Sequence, residues 1–252
     1  MTKQTDPSAG NSLWSKCEVR RGGRGERPSG LDRERITAAS VRLLDAEGLA
    51  RFSMRRLAAE LNVTAMSLYW YIDTKDDLLE LALDAVYGEL EPAGADHTDE
   101  DWPEQLRRLA GAYRGLLVRH PWVSPLAGRF LNIGPNSLAF SRVIQRLVRR
   151  AGLPAHGVTG AVAAVFQFVH GYGTIESHFL TRIADTGLSP EEYFQHTMSL
   201  VDEIPGTAEV IGESKDIMAA RGGDTVAEML DRDFTFALDL LIAGIEALAV
   251  RT

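Results

Sequence analysis

A chain of 252 residues is long enough for one large domain, or for a small domain followed by a larger one. Its 45% apolar content supplies a core, and the single cysteine, Cys17, excludes an intrachain disulfide and a cysteine-based zinc site, as suits a reducing, cytoplasmic setting. The net charge of −8 conceals an asymmetry: residues 16–75 hold 12 Lys/Arg against 8 Asp/Glu, so the excess acid lies elsewhere and phosphates can be met where the positive charge is gathered.

The opening "MTKQTDPSAG" lacks the apolar stretch of a signal peptide. No run of 18 apolar residues follows, since "GAVAAVFQFVHGYGTI" is interrupted by Gln167 and His170, so no membrane span is expected. Residues 1–29 are rich in Gly, Pro and Ser and read as a flexible arm. Arg20, Arg21, Arg24 and Arg27 make that arm basic, which suits a DNA backbone or a narrow minor groove.

From Asp32 the segment "DRERITAASVRLLDAEG" is an amphipathic helix with Ile36, Ala39, Leu43 and Leu44 on one side and Gly48 at its end. Ser53 caps a second helix reaching about Leu61, Asn62-Val63 makes a tight turn, and Thr64 caps a third helix to Tyr71. Thr74 caps a fourth, "KDDLLELALDAVYGELE". After Glu91 the polar "PAGADHTDEDW" marks a boundary, and longer helices are predicted at 102–119, 137–151, 155–183, 190–201 and 231–250. "PGTAEVIGESKDIMAARGGD" shows no period. Alternating β-branched runs are too few for a sheet, so the expected fold is all-α. A three-helix helix-turn-helix domain at 30–90 is linked to a larger helical domain at 91–252.

Two short helices joined by a three-residue turn have the spacing of a DNA-binding helix-turn-helix. Leu57, Ala58, Leu61, Val63 and Leu68 are its inward positions. That leaves Thr64, Ala65, Met66, Ser67, Tyr69 and Tyr71 to approach a major groove, flanked by Arg55 and Lys75 for the phosphates, while Trp70 is compatible with the core. One recognition helix reads only a few base pairs, so a double-stranded operator calls for two copies of the chain.

The segments "RRLAAELNV" and "SLYWYIDTKDDLL", with Gly48 between the first two helices, resemble the DNA-binding domain of TetR-family transcriptional regulators across all four helices. The C-terminal part resembles the branch with tetracycline-repressor-like ligand-binding domains, and "RHPWVSPLAGRFLNIGPNSL" resembles regulators of antibiotic export. The resemblance implies base or backbone contacts by Ser53, Met54, Arg55, Thr64, Ala65, Met66, Ser67, Tyr69, Tyr71 and Lys75, with Tyr69 and Lys75 as phosphate anchors. It implies a repressor released from DNA by a small molecule, and minor-groove contacts by the basic arm.

In the C-terminal part, aromatic residues mingle with a few polar ones. Trp122, Phe130, Asn132, Asn136, Phe140, Phe166, Gln167, His170, Tyr172 and Phe179 are the candidates for a pocket that takes a hydrophobic or aromatic ligand. Ala161, Ala164, Val165, Phe168, Ala237, Leu241, Gly244 and Ile245 lie on two helices that suit a four-helix homodimer interface. The six histidines show no HExxH pattern, and no nucleophile–base arrangement, metal site or cofactor motif is visible. Two rival readings remain: a DNA-binding regulator without small-molecule input, and an enzyme on a helical scaffold. An aromatic-lined cavity argues against the first, and the second requires ionisable groups converging in a cleft.

Overall fold

The computed structural model describes residues 12–16, 30–90, 101–203, 217 and 220–250; the basic arm residues Arg20, Arg21, Arg24 and Arg27 lie outside them. Among the described residues there is no strand, and the chain forms two compact units, Met1–Thr98 with Arg119–Arg146 and Asp99–Val118 with Leu147–Thr252. Residues 119–146 thus group with the first unit although they follow the expected boundary at 91.

In the first unit, α1 (Leu13–Lys16) is a single turn that departs from the expected free arm. The Ser12 hydroxyl donates to Glu80 Oε2 at 2.7 Å, the Leu13 N–H donates to the same oxygen at 3.0 Å, and Leu13 is buried. α2 (Arg33–Glu47) is capped by Asp32, whose carboxylate accepts from the Arg35 N–H, and it buries Ile36, Ala39, Leu43 and Leu44. α3 (Met54–Glu60), α4 (Ala65–Tyr69) and α5 (Lys75–Tyr87) start alike: the hydroxyls of Ser53, Thr64 and Thr74 each accept from the N–H three residues on. Leu57, Ala58 and Leu68 are buried as the sequence suggests, joined by Leu78, Leu79 and Ala82 of α5. Asn62 makes the turn between α3 and α4 at φ 54°, in a left-handed region its short amide tolerates.

The remainder of this unit follows α6 (Trp102–Arg119), which lies almost wholly in the second unit, and comprises α7 (Val123–Ala127) and most of α8 (Pro135–Arg150). Asp84, on α5 and buried, caps the start of α8: its Oδ1 accepts from both the Ser137 N–H and the Ser137 hydroxyl at 2.9 Å. A carboxylate there also faces the positive end of the helix dipole. Only glycine fits beside it, because a Cβ on Gly134 would overlap the Asp84 side chain. Gly134→Ala should destabilise the protein by about 1–3 kcal/mol through overpacking, read as a lower denaturant midpoint with an unchanged slope.

A second tie joins the end of α2 to the chain after α6. Asp45 Oδ1 lies 2.6 Å from His120 Nδ1 and accepts from Trp122 Nε1 at 2.6 Å, while Glu89 meets the other ring nitrogen at 3.1 Å. Burial opposes charging the ring, but Asp45 and Glu89 outweigh it, and the His120 pKa rises above its ordinary 6.5. Because the folded value is the higher, the stabilisation is fully present below pH 6.5 and fades as pH rises through the folded pKa. His120→Asn should remove that pH dependence, as comparison of unfolding at acid and alkaline pH in both proteins would show.

In the second unit, α9 (Ala155–Thr186) runs antiparallel to α11 (Val226–Val250): Phe168 stacks on Phe234, and the Tyr172 hydroxyl donates to the Leu230 carbonyl at 2.6 Å. α10 (Pro190–Glu203) lies between them in sequence. α11 begins at Val226 rather than at the expected 231. The Thr225 hydroxyl accepts from the Glu228 N–H, and Glu228 reaches back to the Asp224 N–H at 2.7 Å. By length and hydropathy α9 alone among the described helices suffices to cross a bilayer. At its middle, however, it carries Glu176, ion-paired to Arg114 at 2.6 Å, and His170, which shares a 2.8 Å hydrogen bond with the Tyr113 hydroxyl.

Candidate functional site

Short helices give α4 its exposure. With five residues it buries only Leu68, and its other large side chains have no core to enter. Met66 is 70% exposed, Tyr69 47% and Trp70 71%, so Trp70 stands with the outward group rather than in the core. Thr64, Ser53 and Arg55 are exposed nearby in sequence, while Ala65 and Ser67 are half-buried, with Ser67 Oγ 2.9 Å from Thr64 Oγ1. Lys75 is exposed, yet its ammonium donates to the Phe52 carbonyl at 2.7 Å.

Two of the expected DNA contacts are corrected. Met54 is 8% exposed, because the first position of α3 turns into the core beside Leu57. Tyr71 lies past the end of α4 with its hydroxyl shut off from solvent.

The expected pocket residues separate into groups. Trp122 is buried and bonded to Asp45, and Phe140 is buried against the ring of Tyr87 at 5.8 Å. Asn136 donates to the Asp84 carbonyl, and Asn132, at φ 50°, donates to the carbonyls of Ala127 and Phe130. Phe130 is half-buried under the Arg129 guanidinium. These five residues therefore serve as caps and packing in the first unit, a correction that aromatic density could not foresee. In the second unit Phe166 stacks on Tyr113 at 4.8 Å beside His170, whose pKa burial lowers, so the ring is neutral at pH 7. Gln167 is exposed.

Tyr172 and Phe179 do line a cavity, of about 370 Å³, with Ile175 and Glu176 of α9 and Phe194 of α10. Arg221 and, from the first turns of α11, Val226, Met229 and Leu230 complete the wall. The volume falls in the range of small-molecule sites, and the wall is almost entirely apolar. Glu176 is neutralised by Arg114, which also donates to Asp231 at 3.0 Å and lies over the rings of Phe234 and Tyr172. Burial works against the Arg114 charge, and Glu176 with Asp231 more than restores it. A wider cleft of about 940 Å³ shares this pair, but Arg107 and Arg114 on its wall are already ion-paired. Sequence reasoning missed Arg221, Met229 and Leu230 because it started the last helix at 231. The pattern Thr225-x-x-Glu228 was the available signal.

The helices expected to pair with a second copy each carry two apolar stripes. Val165 and Ile245 turn into the unit's own core, and Phe168 is spent on Phe234, which corrects their assignment to an outward face. Ala161, Ala237 and Leu241 are half-buried, whereas Ala164 and Gly244 are exposed. With those last two stand Phe236 at 68%, Leu240 at 60% and Leu248 at 57% exposure, spaced along one side of α11. Among the described residues no three His, Cys, Asp or Glu gather to hold a metal ion.

A short exposed helix after a tight turn, followed by a separate all-helical unit with an apolar cavity, defines a helix-turn-helix regulator with a sensor domain. The model of bacterial regulatory proteins of the tetR family matches residues 36–82, and that of the tetracyclin repressor-like C-terminal domain matches residues 94–249. The chain belongs to the tetR family. An HTH-type transcriptional regulator of Saccharopolyspora erythraea is 33% identical, over 87% of this chain and 86% of that one. The HTH-type transcriptional repressor DrrR1 of Streptomyces coeruleorubidus is 30% identical, over 95% and 85%. Among solved structures, ActR of Streptomyces coelicolor in complex with actinorhodin superposes with a TM-score of 0.67 at 25% identity, covering 87% of this chain and 97% of that one.

Proposed function

We propose that this ligand-responsive repressor occupies a palindromic operator as a cytoplasmic homodimer and leaves it when a hydrophobic or aromatic small molecule fills the second unit. The controlled gene encodes an exporter of a drug or antibiotic. The observation that carries the DNA-binding part is the exposure of Met66 and Tyr69 on a five-residue helix and of Trp70 at its C-cap. Three large side chains left in water have a use when a major groove and its phosphates enclose them. The ligand-responsive part is supported by the apolar cavity and by the relatives, one of them a repressor and another solved with a small molecule. To reverse a 99:1 preference for the DNA-binding conformation, the ligand must favour the released one by about 5.5 kcal/mol.

Selection of bound fragments from the source genome tests this reading directly: the enriched site should be an inverted repeat beside a transporter gene. On that site Lys75→Ala should weaken binding and reduce the slope of log affinity against log salt by about 1, because one phosphate contact is removed. An unchanged slope would remove Lys75 from the DNA surface.

A further inference from the structure

We propose that His120 is a proton-operated latch on the DNA-binding unit: charged, it ties the end of α2 to the end of α5, and when it loses its proton the affinity for operator DNA falls. This adds a regulatory input to the DNA-binding reading above and rests on that reading for its use.

Donor supply decides the charge. His120 is 7% exposed and lies between carboxylates from two different elements. Its Nδ1 is 2.6 Å from Asp45 Oδ1, in the last turn of α2, and its Nε2 is 3.1 Å from Glu89 Oε1, two residues past α5. A neutral imidazole has one N–H and one lone pair, so one of these contacts would set two acceptors against each other. The imidazolium donates to both. Each carboxylate has a further reason to stay ionised. Asp45 also accepts from Trp122 Nε1 at 2.6 Å, and Glu89 Oε2 accepts from Arg119 at 2.8 Å.

The dipole of α2 adds to the demand for a cation. The last turn of α2 holds no basic residue, and its negative end already carries Asp45 and Glu47. Arg56 answers Glu47, which leaves His120 as the cation within ion-pair distance of Asp45 among the described residues.

What the latch holds is the frame of the exposed helix α4. α2 packs along α5, and α3 is fastened to both. Arg56 of α3 donates to Glu47 at 2.9 Å, and Lys75 at the head of α5 donates to the carbonyl of Phe52, two residues before α3. α4 follows α3 directly across the Asn62 turn. An uncharged His120 keeps one carboxylate and is repelled by the other, so these ends of α2 and α5 are no longer tied. Operator binding selects the tied arrangement, and apparent affinity drops with the fraction of molecules that hold it. Asp45 and Glu89 keep the folded pKa above 6.5, so the latch is closed below pH 6.5 and opens as pH rises through the folded value. No other histidine occurs among the described residues of the first unit.

The test uses the full chain and an operator fragment from the genomic selection, with affinity read by fluorescence anisotropy at constant ionic strength from about pH 6 to about pH 9. Affinity should fall about tenfold across the titration, the change expected when DNA binding raises the His120 pKa by about one. His120→Asn should flatten the profile. Glu89→Gln, a change at a partly exposed side chain, should move the midpoint to lower pH, because one of the two carboxylates that favour the charge is gone. A purely structural role would not produce that displacement. Nitrogen-15 NMR of the imidazole should show both His120 nitrogens protonated at about pH 6. A flat profile in the unaltered protein, the same profile in His120→Asn, or an unprotonated His120 nitrogen at that pH would overturn the proposal. A His120 that titrates as described, in a protein that binds no operator fragment at any pH, would leave the tie between α2 and α5 intact and count against the DNA-binding reading.

Discussion

Replacing Leu240 by Glu is expected to turn the protein into a monomer and to weaken operator binding by about 10²–10⁴-fold, the advantage lost when two half-sites are no longer engaged together. Leu240 is 60% exposed in the protomer and shares its side of α11 with Phe236, Ala243, Gly244, Ala247 and Leu248. Such a stripe leaves a large apolar area in water unless something covers it. The small residues Ala243, Gly244 and Ala247 let a facing helix approach closely, and Ala163, Ala164 and Gly160 on α9 are exposed in the same manner. A second copy of the same two helices satisfies both faces by a two-fold axis. Because Leu240 is mostly exposed in its own unit, the variant should keep its helical content. Sedimentation equilibrium reads the mass and anisotropy reads the operator. A Leu240→Glu protein that remains a dimer would place the interface elsewhere.

The second large effect belongs to Arg114. Its side chain is 11% exposed, pairs with Glu176 at 10%, and closes over the rings of Phe234 and Tyr172. Arg114→Met keeps much of the length and apolar stem but leaves Glu176 buried without its partner, and should cost about 3–5 kcal/mol in denaturant unfolding. The double variant Arg114→Met/Glu176→Gln should recover much of that loss, since the main penalty is an uncompensated buried charge rather than a missing attraction. A double variant no more stable than the single one would show that the aromatic contacts of the guanidinium dominate.

What the sequence disclosed depended on whether local chemistry or distant contact set the outcome. The caps at Asp32, Ser53, Thr64 and Thr74 and the turn at Asn62 are written in neighbouring residues, and all five are where local reasoning puts them. The core stripe of α2 was equally legible. Trp70 was not, because an aromatic side chain at a helix end is apolar in either setting and only the length of α4 decides that it is outside. Asn132 and Asn136 looked like polar groups awaiting a ligand, yet their amides are taken by carbonyls, in the case of Asn136 the carbonyl of Asp84 on another helix. On α9 and α11 the difficulty was of another kind. With apolar residues on two sides of each helix, periodicity cannot say which stripe a protomer keeps for itself.

The hydrogen bond from Lys75 to the Phe52 carbonyl, with the Phe52 ring 5.5 Å from the ammonium, has a thermodynamic consequence for encounter with DNA. A free lysine surrenders up to about 2 kcal/mol of rotamer freedom when it is fixed against a phosphate. Here that freedom is surrendered when the domain folds, and two of the three ammonium protons stay open for an incoming oxygen. In the proposed phosphate contact the cation would arrive already stiffened, so its contribution should weaken with added salt more than with warming.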